Sequence, residues 1–242
     1  MRRGHQVAGV ARMVRYNWPK YATAAATLLV VAVLPWPWSL LTVPGAAGVA
    51  VSLAATWWAY DHSRLYDWRW ALDLLPANTE PQRYAVVSTG LDEISPALRE
   101  LLPGAEPTLL DCYDPVVMTE GSVRRARRLN PPPDGSVRAD AACLPVRDAG
   151  QDAVFLAFAA HELRVPAQRR ALFAEVARVL RPGGYLVLVE HCRDAATVAA
   201  YGPGAWHFYP RREWLRLARG ARLAPAGEAT MTPLVRALVF KR

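Results

Sequence analysis

Charged side chains are missing from one long part of this 242-residue sequence. No Asp, Glu, Lys, Arg or His occurs among the forty consecutive residues from Tyr21 to Tyr60. A soluble domain rarely keeps so long an uncharged run, because its surface needs polar groups in contact with water. The absence argues against an ordinary soluble fold for these residues and favours contact with lipid.

Cysteine is scarce as well, with Cys112, Cys143 and Cys192 alone in the chain and no CxxC pair. An odd number of cysteines without paired spacing argues against a disulfide framework and fits a reducing compartment. A zinc site built from His191 and Cys192 with Cys143 or His207 has no paired short spacing to support it. The sequence therefore predicts no metal.

Three prolines, Pro35, Pro37 and Pro44, interrupt the middle of the uncharged run. The run is too long for one membrane span, which needs about 20 residues, and proline does not continue a regular helix. We therefore predict two helices, near residues 19–35 and 44–61, joined by a tight turn. Trp and Tyr side chains occur at both ends of each helix, as they do at membrane interfaces.

Basic residues set the predicted orientation. Five of them lie within residues 1–20, Arg64 and Arg69 follow the second helix, and the turn has none. Both ends of the hairpin are therefore predicted to be cytoplasmic, in a multi-pass membrane protein. A signal peptide is less favoured, because the apolar run starts late and a second run would be unexplained. A soluble helical hairpin and a re-entrant membrane insertion stay open.

The chain divides into four predicted parts: a basic cytoplasmic N-terminus (1–20), the transmembrane hairpin (21–60), an interfacial linker (61–77) and one α/β domain (78–242). In the last part short apolar runs alternate with helical patterns, which predicts a parallel, doubly wound sheet. The predicted strands are 84–88, 108–111, 152–158 and 185–190; the predicted helices are 95–102, 119–129, one through 172–180, and 211–219. Residues 223–232 and 234–241 are predicted to form a C-terminal antiparallel hairpin.

Two segments of this domain resemble class I S-adenosylmethionine (SAM) dependent methyltransferases of the type 11-like group. Residues 174–190 look like that family's helix, turn and fifth strand, and residues 140–155 look like its adenine-side loop and fourth strand. The resemblance covers roughly residues 80–242. It implies a Rossmann-like methyltransferase sheet and methyl transfer from S-adenosylmethionine.

The resemblance also implies where the cofactor binds. Asp111, after the second strand, would accept both ribose hydroxyls, and Asp140 would accept from the adenine amino group. Residues 88–95 depart from the family's GxGxG pattern, since Gly90 is their only glycine. Either Asp92 or Glu93 meets the cofactor's amino group, or the chain no longer binds SAM. The implied cofactor residues are Ser88, Gly90, Asp92, Glu93, Asp111, Asp140 and Ala141.

Histidines near the strand ends are the candidate catalytic residues. His161 follows the fourth strand and is the preferred base, and His207 lies in a Gly/Pro-rich loop that would cover an apolar substrate. Taken singly, each histidine is better explained as an ordinary hydrogen-bonded residue.

The combined interpretation is a membrane-anchored methyltransferase, its catalytic domain on the cytoplasmic side, acting on a lipid or other apolar small molecule. Arginines at 124, 125, 127 and 128 lack interleaved aromatic residues, so we predict no nucleic-acid partner. Two alternatives remain: a methyltransferase acting on a membrane protein, and a non-catalytic methyltransferase-like scaffold that binds a partner protein.

Overall fold

The computed structural model describes residues 9–77 and 79–242. One mixed sheet lies at its centre. Its strands are β1 (Arg83–Ser88), β2 (Glu106–Asp111), β3 (Val137–Arg138), β4 (Gln151–Ala157), β5 (Leu180–Glu190), β6 (Ala224–Thr232) and β7 (Val235–Lys241). Their order is β3-β2-β1-β4-β5-β7-β6, with β7 antiparallel to both of its neighbours and every other pairing parallel.

Helices precede and connect these strands, and several of them pack on the sheet. They are α1 (Gly9–Ala32), α2 (Thr42–Trp57), α3 (Arg69–Leu72), α4 (Ser95–Leu101), α5 (Gly121–Leu129), α6 (Pro166–Val179), α7 (Ala195–Tyr201) and α8 (Arg211–Gly220). Alternate residues of β1 enter two different core clusters: Ala85 packs with α6 and α8, and Val86 packs with α4. The sheet is therefore covered on both faces, as in doubly wound folds.

The predicted Rossmann-like α/β architecture is confirmed, including the C-terminal hairpin, which is β6 and β7. Within residues 78–242, two of the strands and helices given above were not predicted. β3 has only two residues, both exposed, and α7 follows β5 directly. β5 also begins at Leu180 rather than at residue 185, because the Arg-Pro-Gly-Gly segment continues the strand.

The apolar hairpin consists of α1 and α2, which pack against each other. α1 bends at Asn17, whose backbone is not helical, two residues before Pro19. Before the bend, Tyr16 is buried, and its hydroxyl accepts a 2.7 Å hydrogen bond from Asn130. After the bend, large apolar side chains are exposed, among them Leu29, Val30, Val33, Trp36, Trp38, Leu41 and Val43.

The prediction of two transmembrane helices is not confirmed. Among the described residues, one helical stretch, Trp38–Asp67, is long and apolar enough to cross a membrane. α1 is long, but its first half is polar and contacts the α/β domain, which leaves a shorter apolar part after the bend.

The segment predicted as an interfacial linker is part of the hydrophobic core. Leu65, Trp68 and Ala71 are each at most 1% exposed. They lie in the same buried cluster as Tyr84 and Val86 of β1. The α/β domain therefore begins structurally before residue 78, and the linker prediction for 61–77 is corrected, because the sheet needs these apolar side chains to cover one face.

Replacing Trp68 tests this packing. The Trp68→Ala variant should lower the free energy of unfolding by about 3–5 kcal/mol, since it removes a fully buried indole and leaves a cavity. Denaturant unfolding followed by circular dichroism measures the change. Trp206→Ala is the matched control, because Trp206 is 63% exposed and its loss should cost within about 0.5 kcal/mol. Equal effects of the two changes would contradict the packing.

Candidate active site

The ends of three neighbouring strands bring the predicted cofactor residues together. Ser88 of β1 pairs in register with Asp111 of β2, which in turn pairs with Arg138 of β3. Gly90 follows β1 with a positive φ of 117°. A Cβ on Gly90 would lie 2.8 Å from Val123 of α5, so glycine is required both by the backbone and by this close packing.

Asp111 is buried, and each of its carboxylate oxygens already has a partner. Arg127 forms an ion pair with Oδ2, and the backbone N–H of Tyr113 donates to Oδ1 over 3.3 Å. The Arg127 guanidinium also lies over the Tyr113 ring. A carboxylate offers about four lone-pair positions, so Asp111 can still accept from a diol beside these contacts.

Two predicted cofactor residues, Asp92 and Asp140, have local structural contacts. Asp92 accepts hydrogen bonds from the backbone N–H groups of Ile94 and Ser95, at 3.1 and 2.9 Å, and also from the Ser95 hydroxyl. These bonds cap α4. Asp140 is exposed and accepts from the backbone of Ala142 at 2.8 Å, next to the buried Ala141.

Glu93 faces a cavity of about 580 Å³ beside the same loop. The Tyr66 hydroxyl donates to its Oε2 over 3.3 Å, and Arg12 of α1 also lines the cavity. Burial raises the pKa of Glu93, and the Arg12 charge opposes that rise. A cavity of this size, holding a carboxylate and a guanidinium, suits a small ligand that carries both an amino and a carboxylate group.

The candidate catalytic histidines meet around one carboxylate. His161 Nε2 lies 3.2 Å from Glu162 Oε1, and His207 Nε2 lies 3.4 Å from the same oxygen. On its other side, His161 Nδ1 lies 2.7 Å from Oε2 of the buried Glu190 at the end of β5. Two 3-10 turns, after β4 and after α7, supply the histidines.

These carboxylates decide the protonation of His161. Burial favours the neutral ring, but the charges of Glu190 and Glu162 outweigh it and raise the pKa of His161 to about 10. The two carboxylates therefore favour the protonated ring, in which both nitrogens are donors. His161 can act as the predicted base only after one of its ring nitrogens has lost its proton.

His191 has a structural role in an aromatic cluster. Its Nδ1 donates to the backbone carbonyl of Leu234 over 2.7 Å, so its Nε2 accepts from the Tyr60 hydroxyl over 2.6 Å. Burial lowers the pKa of His191 to about 4, which keeps the ring neutral. The rings of Phe158 and Phe208 lie against it, with centroids 5.0 and 4.8 Å away.

Part of the chain is similar to known methyltransferases. Residues 109–188 match a family described as a methyltransferase domain. The chain is 29% identical over 164 residues to the ubiquinone/menaquinone biosynthesis C-methyltransferase of Acidiphilium cryptum, an alignment that covers 63% of this chain. It spans 64% of that relative's length, less than two thirds.

Solved structures share the fold at low identity. A SAM-dependent methyltransferase from Aquifex aeolicus is 17% identical with a TM-score of 0.55, covering 75% of this chain and 93% of that one. A SAM-dependent methyltransferase from Methanosarcina mazei is 17% identical with a TM-score of 0.52, covering 71% and 95%. Residues 109–188 are therefore similar to a methyltransferase domain, and the described residues share the fold of these two solved structures.

Proposed function

We propose that this chain is a membrane-anchored methyltransferase that transfers a methyl group from S-adenosylmethionine to a lipid or other apolar small molecule, with its catalytic domain on the cytoplasmic side. The observation that carries the proposal is the exposed apolar hairpin joined to a methyltransferase fold. The C-methyltransferase of ubiquinone and menaquinone biosynthesis, a partial relative, supports a small-molecule acceptor and a carbon as the methylated atom.

The residues present fit the cofactor. Asp111 would accept the ribose hydroxyls at the strand ends, and Glu93 and Arg12 would hold the amino and carboxylate groups at the cavity. When bound there, SAM supplies an electrophilic methyl group. The protein's task is then to hold the acceptor in line and keep water away.

The acceptor side has a cation and apolar walls. The protonated His161 ring, held by Glu190, would stabilise negative charge that develops on an acceptor oxygen. Phe208 lies against the His161 ring, and Phe158, Phe208 and Tyr201 surround His191; all three are partly exposed and would contact an apolar ring or chain. His207 and the exposed Trp206 lie in the 3-10 turn Gly202–His207, which would cover the bound acceptor.

One contact favours a second candidate function. The Arg127–Asp111 ion pair occupies one oxygen of the carboxylate that the cofactor would use, as expected of a scaffold that has lost SAM binding and kept the fold. Cofactor affinity distinguishes the two functions.

Calorimetric titration with SAM tests the cofactor assignment. The wild-type protein should bind, and Asp111→Ala should weaken binding about tenfold or more, because a charge-assisted hydrogen bond contributes about 1.5–3 kcal/mol. Asp134→Ala, an exposed carboxylate before β3, is the control and should leave the affinity unchanged. A folded wild-type protein that fails to bind SAM would favour the scaffold.

A charge placed on the hairpin tests the anchor. Leu29 is 71% exposed on α1, and Leu29→Asp should reduce the fraction bound to liposomes, since aspartate at the centre of a membrane helix costs about 3 kcal/mol. Val116→Asp is the matched control, because Val116 is 81% exposed on the α/β domain. Flotation on a density gradient measures both variants. If the two float equally well, the hairpin is not the anchor.

The native cysteines test which side of the membrane the domain faces. Cys143 is exposed, whereas burial raises the pKa of Cys112 and Cys192 to about 12 and leaves them unreactive. A membrane-impermeant maleimide should therefore label Cys143 only after bacterial cells that express the chain are permeabilised. Cys143→Ser removes the signal as a control. Labelling in intact cells would place the domain outside.

A further inference from the structure

Two histidines and one glutamate point their ligand atoms at a common position. The Nε2 atoms of His161 and His207 lie 3.2 and 3.4 Å from Glu162 Oε1, and all three ligand atoms lie within 4.8 Å of one another. In a tetrahedral site with bonds of about 2.0–2.1 Å, neighbouring ligand atoms stand about 3.4 Å apart. Both contacts with Glu162 already have that spacing. The His207 side chain is 23% exposed, and its ring centroid lies 5.1 Å from that of His161.

The outer partners follow the arrangement of metal-binding histidines. Such histidines usually bind the metal with one nitrogen and direct the other toward a carboxylate, which fixes the ring. His161 directs Nδ1 to Glu190 at 2.7 Å, and His207 directs Nδ1 toward Glu120 at 3.9 Å. Both histidines therefore direct Nε2 to the shared position at Glu162, and a metal ion bound there would displace the proton from His161 Nε2.

Glu162 supplies an independent observation. Its side chain is 12% exposed, and its Oε2 is buried with no hydrogen-bond partner. An unpaired carboxylate oxygen away from water is costly, and a cation beside it would relieve that cost.

We infer that His161, Glu162 and His207 bind a divalent transition-metal ion such as Zn²⁺. Imidazole ligands favour this class over Mg²⁺ and Ca²⁺, which prefer oxygen ligands. Three protein ligands leave at least one coordination position open, as in catalytic rather than structural sites. The inference goes beyond the proposed methyl transfer, and metal binding does not require SAM.

Metal titration of the full-length chain in detergent, without a polyhistidine tag and after treatment with a chelator, tests the site. Co²⁺ should bind with one ion per chain, give the visible absorption of a histidine and carboxylate site, and be displaced by Zn²⁺. Glu162→Gln and His207→Ala should each weaken Co²⁺ affinity at least about a hundredfold. Glu190→Gln, a positioning change, should weaken it about 10- to 100-fold. His62→Ala, an exposed histidine outside the cluster, is the matched control.

Circular dichroism establishes that each variant is folded, and His207→Ala decides the matter if Glu162→Gln is not, because His207 lies nearer the surface. The inference is overturned if the wild-type protein shows no saturable Co²⁺ binding, or if the folded variants keep wild-type affinity. SAM titration of the same samples is a separate readout, so failure of the metal site and failure of the cofactor site are distinguishable.

Discussion

The central strands of the sheet are buried on both faces, so each face requires a layer of apolar side chains. Helices α6 and α8 supply that layer on one side. On the other side, much of it comes from Tyr60, Leu65 and Trp68, which directly follow the apolar hairpin. The hairpin therefore cannot be removed at residue 77 without uncovering β1, and the proposed anchor is a continuation of the catalytic domain's core rather than a flexible attachment.

Buried charge is concentrated at the carboxyl ends of the strands. Asp111 is paired with Arg127, and Glu190 is paired with His161. The attraction within such a pair offsets the desolvation free energy of the buried charges only while both partners are present, so removing one partner is strongly destabilising. For the same reason these carboxylates can bind ligands, because a cofactor hydroxyl or a metal ion can replace or join the contact that the partner side chain makes. Glu162 is the member of this group that still has an unpaired oxygen.

Much of the fold could be predicted from the sequence, because β1 and β4 are short apolar runs bounded by turn residues. β3 gave no such signal, since two exposed residues carry no periodicity and their pairing depends on β2. The linker prediction failed for a related reason. Trp68 and Leu65 lie among charged residues, and nothing local shows that the sheet has an uncovered face for them.

The site was less accessible to prediction. Asp92 was assigned to the cofactor, but the Ser-Pro pair that follows it begins a helix, and a carboxylate at that position caps the helix. His161 and His207 were both identified, yet 46 positions separate them, and no spacing rule indicates that they share Glu162. Glu190, a charged residue at the end of the apolar strand β5, was the one indication in the sequence that an ion-pair partner lies nearby.

The base of the hairpin is held together by one carboxylate. Asp61 accepts hydrogen bonds from the backbone N–H groups of Gly9 and Val10, so the start of α1 is tied to the end of the second helix. Gly9, Asp61 and Tyr60 also line the cavity beside Glu93. A flexible tether would raise only the local concentration of a membrane-dissolved acceptor. Because the residues at the start of the hairpin form part of the cavity wall, they also fix the distance and direction from the proposed membrane surface to the site. The Tyr60–His191 hydrogen bond extends that constraint to the aromatic cluster.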